Sequence, residues 1–123
     1  MAIDKGQPVN MFPSAVVGIG VVGIGAWINF IKNQGGTTFL RVTNGANGPD
    51  DRPAVIMEVA ESAAGLKARE IFRASAPITD NAVTDFTHHH ALADRYIRVT
   101  FDNSLGDQAI TAEAHHHPVV NIG

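Results

Sequence analysis

The six histidines are the residues best suited to chemistry, because they occur as two triplets, residues 88–90 and 115–117. Imidazole nitrogen is a common ligand of zinc, nickel, copper and iron, and two triplets brought together could supply three or four nitrogens. Adjacent residues of a strand point to opposite faces, so only alternate histidines of a triplet can share a side. The pattern therefore predicts His88, His90, His115 and His117 as metal ligands, for zinc, nickel or iron.

Two other interpretations of the triplets stay open. The histidines could pair with backbone groups and carboxylates on a polar rim, or triplets from symmetry-related chains could meet at an axis. Asp85, Asp94 and Glu113 are close in sequence, yet none has the spacing of a facial triad or of an H-E-x-x-H motif.

The remaining sequence carries no catalytic signature. It has no nucleophile elbow, no P-loop and no cysteine. Residues 18–23 match the letters G-x-G-x-x-G, but the acidic residue expected about 20 positions further on is missing. We therefore expect a protein that is not an enzyme and that has no cofactor apart from a metal at the histidines.

Length and composition favour one all-β domain. A chain of 123 residues can bury one core, and its 12 glycines and 6 prolines among many Val, Ile and Thr favour strands and turns. Charged residues make up 17% of the chain and the formal net charge is −3, which argues against a nucleic-acid partner. About five to seven short strands with polar connections predict a single β-sandwich or jelly-roll-like domain.

The clearest predicted element is an antiparallel hairpin over residues 93–115. Ile97, Val99 and Phe101 alternate with polar residues in its first arm, and residues 110, 112 and 114 are the apolar positions of its second arm. The loop between them is rich in Asp, Asn, Ser and Gly, which favour tight turns. In this hairpin both histidine triplets would lie at the open end.

The N-terminal part is expected to be an arm, residues 1–13, followed by the domain, residues 14–123. The domain begins with an apolar, glycine-rich segment, residues 14–31, which contains the repeat Val-Val-Gly-Ile-Gly at 16–20 and 21–25. We interpret this segment as a glycine-interrupted strand pair or a buried strand. A membrane-spanning helix is the main alternative, since the uncharged run approaches the length of about 20 residues that a bilayer requires; a secretory signal fits less well.

A resemblance to a known family concerns the C-terminal part. The run Asp-Arg-Tyr-Ile-Arg-Val-Thr-Phe-Asp-Asn at 94–103, followed by Gln-Ala-Ile-Thr-Ala-Glu at 108–113, resembles the closing hairpin of small β-sandwich proteins of tailed-phage particles. The resemblance implies a non-enzymatic virion component, a capsid decoration or tail protein, whose partners are copies of itself and other structural proteins. Two alternatives are a metal-binding β-barrel protein or enzyme that uses the triplets, and a membrane-anchored β domain. For these the location would be cytoplasmic or membrane-associated.

Overall fold

The computed structural model describes the backbone of residues 3–5, 9–29, 36–90 and 96–122, and the side chains of these residues except 3–5, 90 and 118–122. These ranges contain ten strands and no helix. The strands are β1 (Ile3–Lys5), β2 (Val9–Val17), β3 (Val22–Ile24), β4 (Ile28–Asn29), β5 (Gly36–Asn44), β6 (Ala54–Ala60), β7 (Arg69–Ser75), β8 (Val83–His90), β9 (Tyr96–Asp102) and β10 (Ile110–Ile122).

The strands form two antiparallel sheets that pack as a sandwich. In the first sheet β10 lies between β5 and the consecutive edge strands β1 and β2, and β8 is the other edge. In the second sheet β9 lies between β6 and the edge strands β3 and β4, and β7 is the other edge. If β1 with β2 and β3 with β4 are each counted as one interrupted strand, this is the strand order of an eight-stranded jelly roll. The predicted all-β sandwich is confirmed.

The predicted hairpin between residues 93 and 115 is wrong. Both arms are strands, but β9 pairs with β3, β4 and β6, whereas β10 pairs with β1, β2 and β5 in the other sheet. The alternation and the turn-forming loop indicate two strands and a reversal of direction, and a crossover between sheets produces the same local pattern as a hairpin. The connection 103–109 carries the chain from one sheet to the other.

The glycine-rich segment forms strands, as expected, but in both sheets. Residues 14–17 end β2, the turn at 18–21 is closed by a hydrogen bond from the amide of Val21 to the carbonyl of Gly18 (3.2 Å), and β3 follows. Gly20 has a φ of 70° in this turn, a conformation that favours glycine. The alternative of a membrane-spanning helix is therefore wrong for residues 14–29; Phe30 and Ile31 lie outside the described residues. Across the described part of the chain, no helix has the length and apolarity that crossing a bilayer requires.

The expected boundary between arm and domain falls inside a strand. Strand β2 runs through Pro13 from Val9 to Val17, and its residues pair with β10 on both sides of that position. Residues 3–5 also pair with β10, as β1. The described N-terminal residues thus belong to the edge of the first sheet.

The core lies between the inner faces of the two sheets. Leu40 and Val42 of β5 and Ile110 of β10 face Val99 and Phe101 of β9, and all five are at most 2% exposed. The ring of Phe101 meets that of Phe12 edge to face, with 4.9 Å between the ring centres. This packing buries most of the apolar surface that holds the sheets together.

A buried amide holds the crossover from β9 to β10. Asn103 is 1% exposed, and its Nδ2 donates to the carbonyls of Gly18 (3.1 Å) and Gln108 (2.8 Å) and more weakly to that of Val17 (3.4 Å). A Cβ at Gly106 would lie 2.1 Å from Oδ1 of Asn103, so only glycine fits beside the amide. Asn103 therefore joins the β9–β10 connection to the turn between β2 and β3.

Replacing Phe101 with alanine tests the core. We expect Phe101→Ala to lower the free energy of unfolding by about 3–5 kcal/mol, because the lost ring leaves a cavity among buried side chains. Leu66→Ala is the control, since Leu66 is 57% exposed and should change stability by less than about 0.5 kcal/mol. Urea unfolding followed by circular dichroism measures both. Equal effects would contradict this packing.

Replacing Asn103 with aspartate tests the amide. The carboxylate of Asn103→Asp cannot donate to the carbonyls that Nδ2 now satisfies, so we expect a loss of about 3 kcal/mol or more. Asn47→Asp makes the same chemical change at an exposed position and should be nearly neutral. Urea unfolding of the two variants provides the comparison, and an equally small effect at both positions would show that the Asn103 contacts contribute little.

Candidate functional site

The structure brings the two histidine triplets to the same end of the first sheet, on either side of β5. His117 pairs with Thr37, which pairs in turn with His89 on β8. His116 and His88 flank Thr38 in the same way. The triplets are thus near each other because β5 lies between their strands, and not because they close a hairpin.

Strand alternation then divides the histidines between the two faces of this sheet. His88 and His116 lie on the inner face, since His88 contacts Phe72 of the second sheet at 5.4 Å between ring centres and His116 is 1% exposed. His115 and His117 lie on the outer face with His89. The predicted set of His88, His90, His115 and His117 therefore does not converge as one group of ligands: His88 lies on the opposite face from His115 and His117, and the side chain of His90 is outside the described part.

The inner-face histidine of β10, His116, is buried and lies within hydrogen-bonding distance of Thr38. Nδ1 of His116 lies 3.0 Å from Oγ1 of Thr38, and this hydroxyl donates to Sδ of Met11 at 3.7 Å. Because a hydroxyl has one proton, a Thr38 proton directed at sulfur leaves the oxygen to accept from Nδ1–H of His116. A Cβ at Gly36 would lie 2.6 Å from Nε2 of His116, so glycine makes room for the ring.

On the outer face, an exposed phenylalanine contacts two histidines. Phe39 is 40% exposed, and its ring stacks on His115 with 5.8 Å between centres and meets His117 edge to face at 5.2 Å. The two imidazoles are themselves 5.4 Å apart, edge to face. We call His115, His117 and Phe39 the outer aromatic cluster.

A row of charged residues lies next to this cluster. The guanidinium of Arg41 donates two hydrogen bonds to the carboxylate of Asp85, from Nε to Oδ1 (2.7 Å) and from Nη2 to Oδ2 (3.1 Å). On the other side of Arg41, Oε1 of Glu113 lies 3.9 Å from Nε of Arg41. The bonds from Arg41 lower the pKa of Asp85, and the same contact raises the pKa of Arg41.

Phe39 and His115 of the aromatic cluster and the charged row together line an open groove of about 400 Å³, to which Thr87 and Leu40 also contribute. Small-molecule sites commonly have volumes of about 300–1,000 Å³ and combine an apolar floor with a few polar groups. Across the described side chains, no three His, Asp or Glu residues gather closely enough to hold a metal ion. The groove therefore offers an aromatic surface, the imidazole of His115 and a row of charges that is partly neutralised by ion pairing.

Sequence reasoning identified the histidines and noted Asp85 and Glu113 near them, but it missed Phe39 and Arg41 as neighbours. The alternation of residues 37–43 does place Phe39 and Arg41 on one face of a strand. The register of β5 against β8 and β10 decides which rows they join, and the register comes from contacts between residues at least 40 positions apart.

Comparisons with known proteins identify no family. No family model and no curated protein matches the chain. Among solved structures, the K1 cleaved adhesin domain of Lys-gingipain from Porphyromonas gingivalis is similar with a TM-score of 0.49 and 11% sequence identity, over 89% of this chain and 71% of that one. A similarity this weak carries no argument about function.

The ion pair of Arg41 and Asp85 predicts a pH dependence. A carboxyl whose pKa is lowered in the folded protein stabilises it above the ordinary Asp pKa of about 3.9, and this contribution is lost as the pH falls through the lower folded value. In a carbon-detected NMR titration, we expect the Asp85 carboxyl to have its midpoint below that ordinary value, and Arg41→Gln to raise the midpoint. Arg73→Gln, which removes an arginine that pairs with Glu70, should leave it unchanged. An Asp85 midpoint that does not respond to Arg41→Gln would disprove the assignment.

Proposed function

We propose that the protein is a non-enzymatic structural subunit of a homo-oligomeric assembly, and that the edge formed by β2 and β3 pairs with a second copy. The observation that carries the proposal is the absence of charge along this edge. No Asp, Glu, Lys, Arg or His occurs between Lys5 and Lys32, and this segment supplies an edge strand to each sheet.

The uncharged edge also exposes a group of aliphatic side chains. Along β2, the turn and β3 these are Val16 (70% exposed), Ile19 (63%), Val21 (45%), Val22 (40%) and Ile24 (60%). Leu105, which is 75% exposed, lies in the connection that follows Asn103. The backbone N–H of Asn103 donates to the carbonyl of Val21 (3.0 Å), which holds this connection beside the β2–β3 turn. Exposed aliphatic side chains that are grouped along one edge are a feature of contact surfaces.

The opposite edge of the sandwich is different. Strand β7 carries Arg69, Glu70 and Arg73, all exposed, and β8 carries the exposed Asp85. Charges on edge strands are a common means of preventing edge-to-edge pairing. The edges at one side of the sandwich thus carry charges on β7 and β8. At the other side β2 and β3 carry none, and the short strand β1 carries Asp4 and Lys5.

A second copy is the occupant that fits this edge best. An uncharged strand edge can pair with its own copy around a two-fold axis without bringing like charges together, and symmetric pairs are the commonest oligomers. Within the described ranges, β2 and β3 have strand neighbours on one side only, β10 and β9 respectively. A standard interface buries about 800 Å² of surface on each partner. The exposed aliphatic side chains would supply part of its apolar area.

The proposal concerns the assembly itself. The virion setting and the role in capsid decoration or in a tail stay predictions. The described residues of the run that carries the resemblance, 96–103 and 108–113, contribute strands to different sheets and do not form a hairpin with each other. The absence of enzymatic activity is also part of the proposal. It rests on the lack of a catalytic motif in the sequence.

A charge placed on the edge tests this proposal. We expect Ile24→Lys to weaken self-association at least about tenfold, because an ammonium buried in an apolar interface is left without a partner. Leu66→Lys is the matched control, since Leu66 is 57% exposed, close to the 60% of Ile24, but lies between β6 and β7. Light scattering over a concentration series measures the mass in solution.

Circular dichroism of both variants should match that of the unchanged protein, which separates lost association from lost folding. An unchanged protein that stays monomeric at all concentrations would refute the proposal. A Leu66→Lys variant that dissociates as much as Ile24→Lys would place the interface elsewhere.

A further inference from the structure

We propose that His115 and His117 form a two-imidazole chelate that binds one late first-row divalent cation, such as Zn²⁺ or Ni²⁺, on the outer face of the first sheet. The proposal does not depend on the self-association described above, because neither histidine belongs to the β2–β3 edge. It differs from the four-histidine set that the sequence predicted, since only these two ligands share a described face.

The separation of the two rings fits a common metal ion. The residues are two positions apart on β10, and their ring centres are 5.4 Å apart. In a tetrahedral zinc site each nitrogen lies about 2 Å from the ion, and each ring centre about 1 Å beyond it, so two ligating imidazoles have centres about 5 Å apart. The spacing of the rings therefore suits one ion, once each side chain rotates to direct a ring nitrogen toward it.

Phe39 restricts both imidazoles in the absence of a metal. Its ring contacts each of them, at 5.8 Å for His115 and 5.2 Å for His117. Side chains that are already packed lose less conformational entropy when they bind a ligand. The outer aromatic cluster thus holds the two ligands near each other and provides an apolar wall beside the ion.

The surroundings are compatible with a cation. Arg41 is the positive group of the neighbouring row, and it is paired with Asp85 and lies near Glu113, so the row as a whole carries more negative than positive charge. Neither imidazole makes a hydrogen bond to another described residue. His117 is exposed and His115 is half-buried, so an ion can enter from solvent. Water completes the coordination in a single copy.

His89 provides the internal control. It lies on the same face and in the same row as His117, but Thr37 lies between them, and Nδ1 of His89 is 2.9 Å from the hydroxyl of Thr37. Its substitution removes one exposed imidazole from this face without touching the proposed chelate. If metal ions bound to any exposed imidazole, substitution of His89, His115 or His117 would weaken binding to the same extent.

Calorimetric titration with ZnCl₂ and with NiCl₂ tests the proposal on protein without an affinity tag. We expect one ion per chain, and both His115→Gln and His117→Gln should weaken binding at least about tenfold, because a single imidazole remains. His89→Gln should bind as the unchanged protein does. One ion per two chains would also support the proposal if the same two variants abolish it, since two chelates would then complete one tetrahedron.

Bound Cu²⁺ gives a second readout. Electron paramagnetic resonance should show hyperfine coupling to two imidazole nitrogens, reduced to one in either variant. The proposal fails if the unchanged protein binds none of these ions, or if binding persists in a variant that carries both His115→Gln and His117→Gln. It also fails if His89→Gln loses as much affinity as His117→Gln. Circular dichroism confirms that each variant is folded.

Discussion

The architecture depends on how the backbone carbonyls at the ends of strands are satisfied where the chain crosses between the sheets. A buried carbonyl that loses its strand partner costs free energy unless another donor reaches it. Asn103 supplies that donor to the β2–β3 turn and to its own connection. Asn44 does the same at the end of β5, where its Nδ2 donates to the carbonyls of Pro77 (2.8 Å) and Thr79 (2.9 Å). Two side-chain amides thus hold connections that no strand pairing could hold.

The contacts of these amides are long-range, and for that reason strand positions could be predicted from the sequence whereas strand pairing could not. The alternation of Ile97, Val99 and Phe101 correctly predicted a strand and its buried face, because side-chain direction is a local property of the backbone. The pairing of that strand was predicted incorrectly, because a loop rich in Asp, Asn, Ser and Gly favours a reversal without choosing the sheet that the chain enters next. The deciding contact joins Asn103 to Gly18, 85 positions away. Local patterns contain no information about such a contact.

The outer face of the first sheet shows the same difference between local and long-range information. Alternation alone predicts that His115 and His117 share a side, and the structure agrees. Alternation cannot predict that Phe39 lies between His115 and Thr87, or that Arg41 lies between Glu113 and Asp85. These rows depend on the register of three strands. Sequence reasoning can therefore name a chelating pair, whereas its apolar wall and charged neighbours require the sheet.

The uncharged N-terminal segment shows how one composition can serve different environments. A long run without charge is typical of a membrane span or of a strand covered on both faces. Here it forms the edge of both sheets, and several of its aliphatic side chains face outward. Edge strands with open hydrogen-bonding groups and apolar side chains tend to associate unless charges prevent it. Strands β7 and β8 carry such charges and β2 and β3 do not, and it is this difference on which the proposed self-association rests.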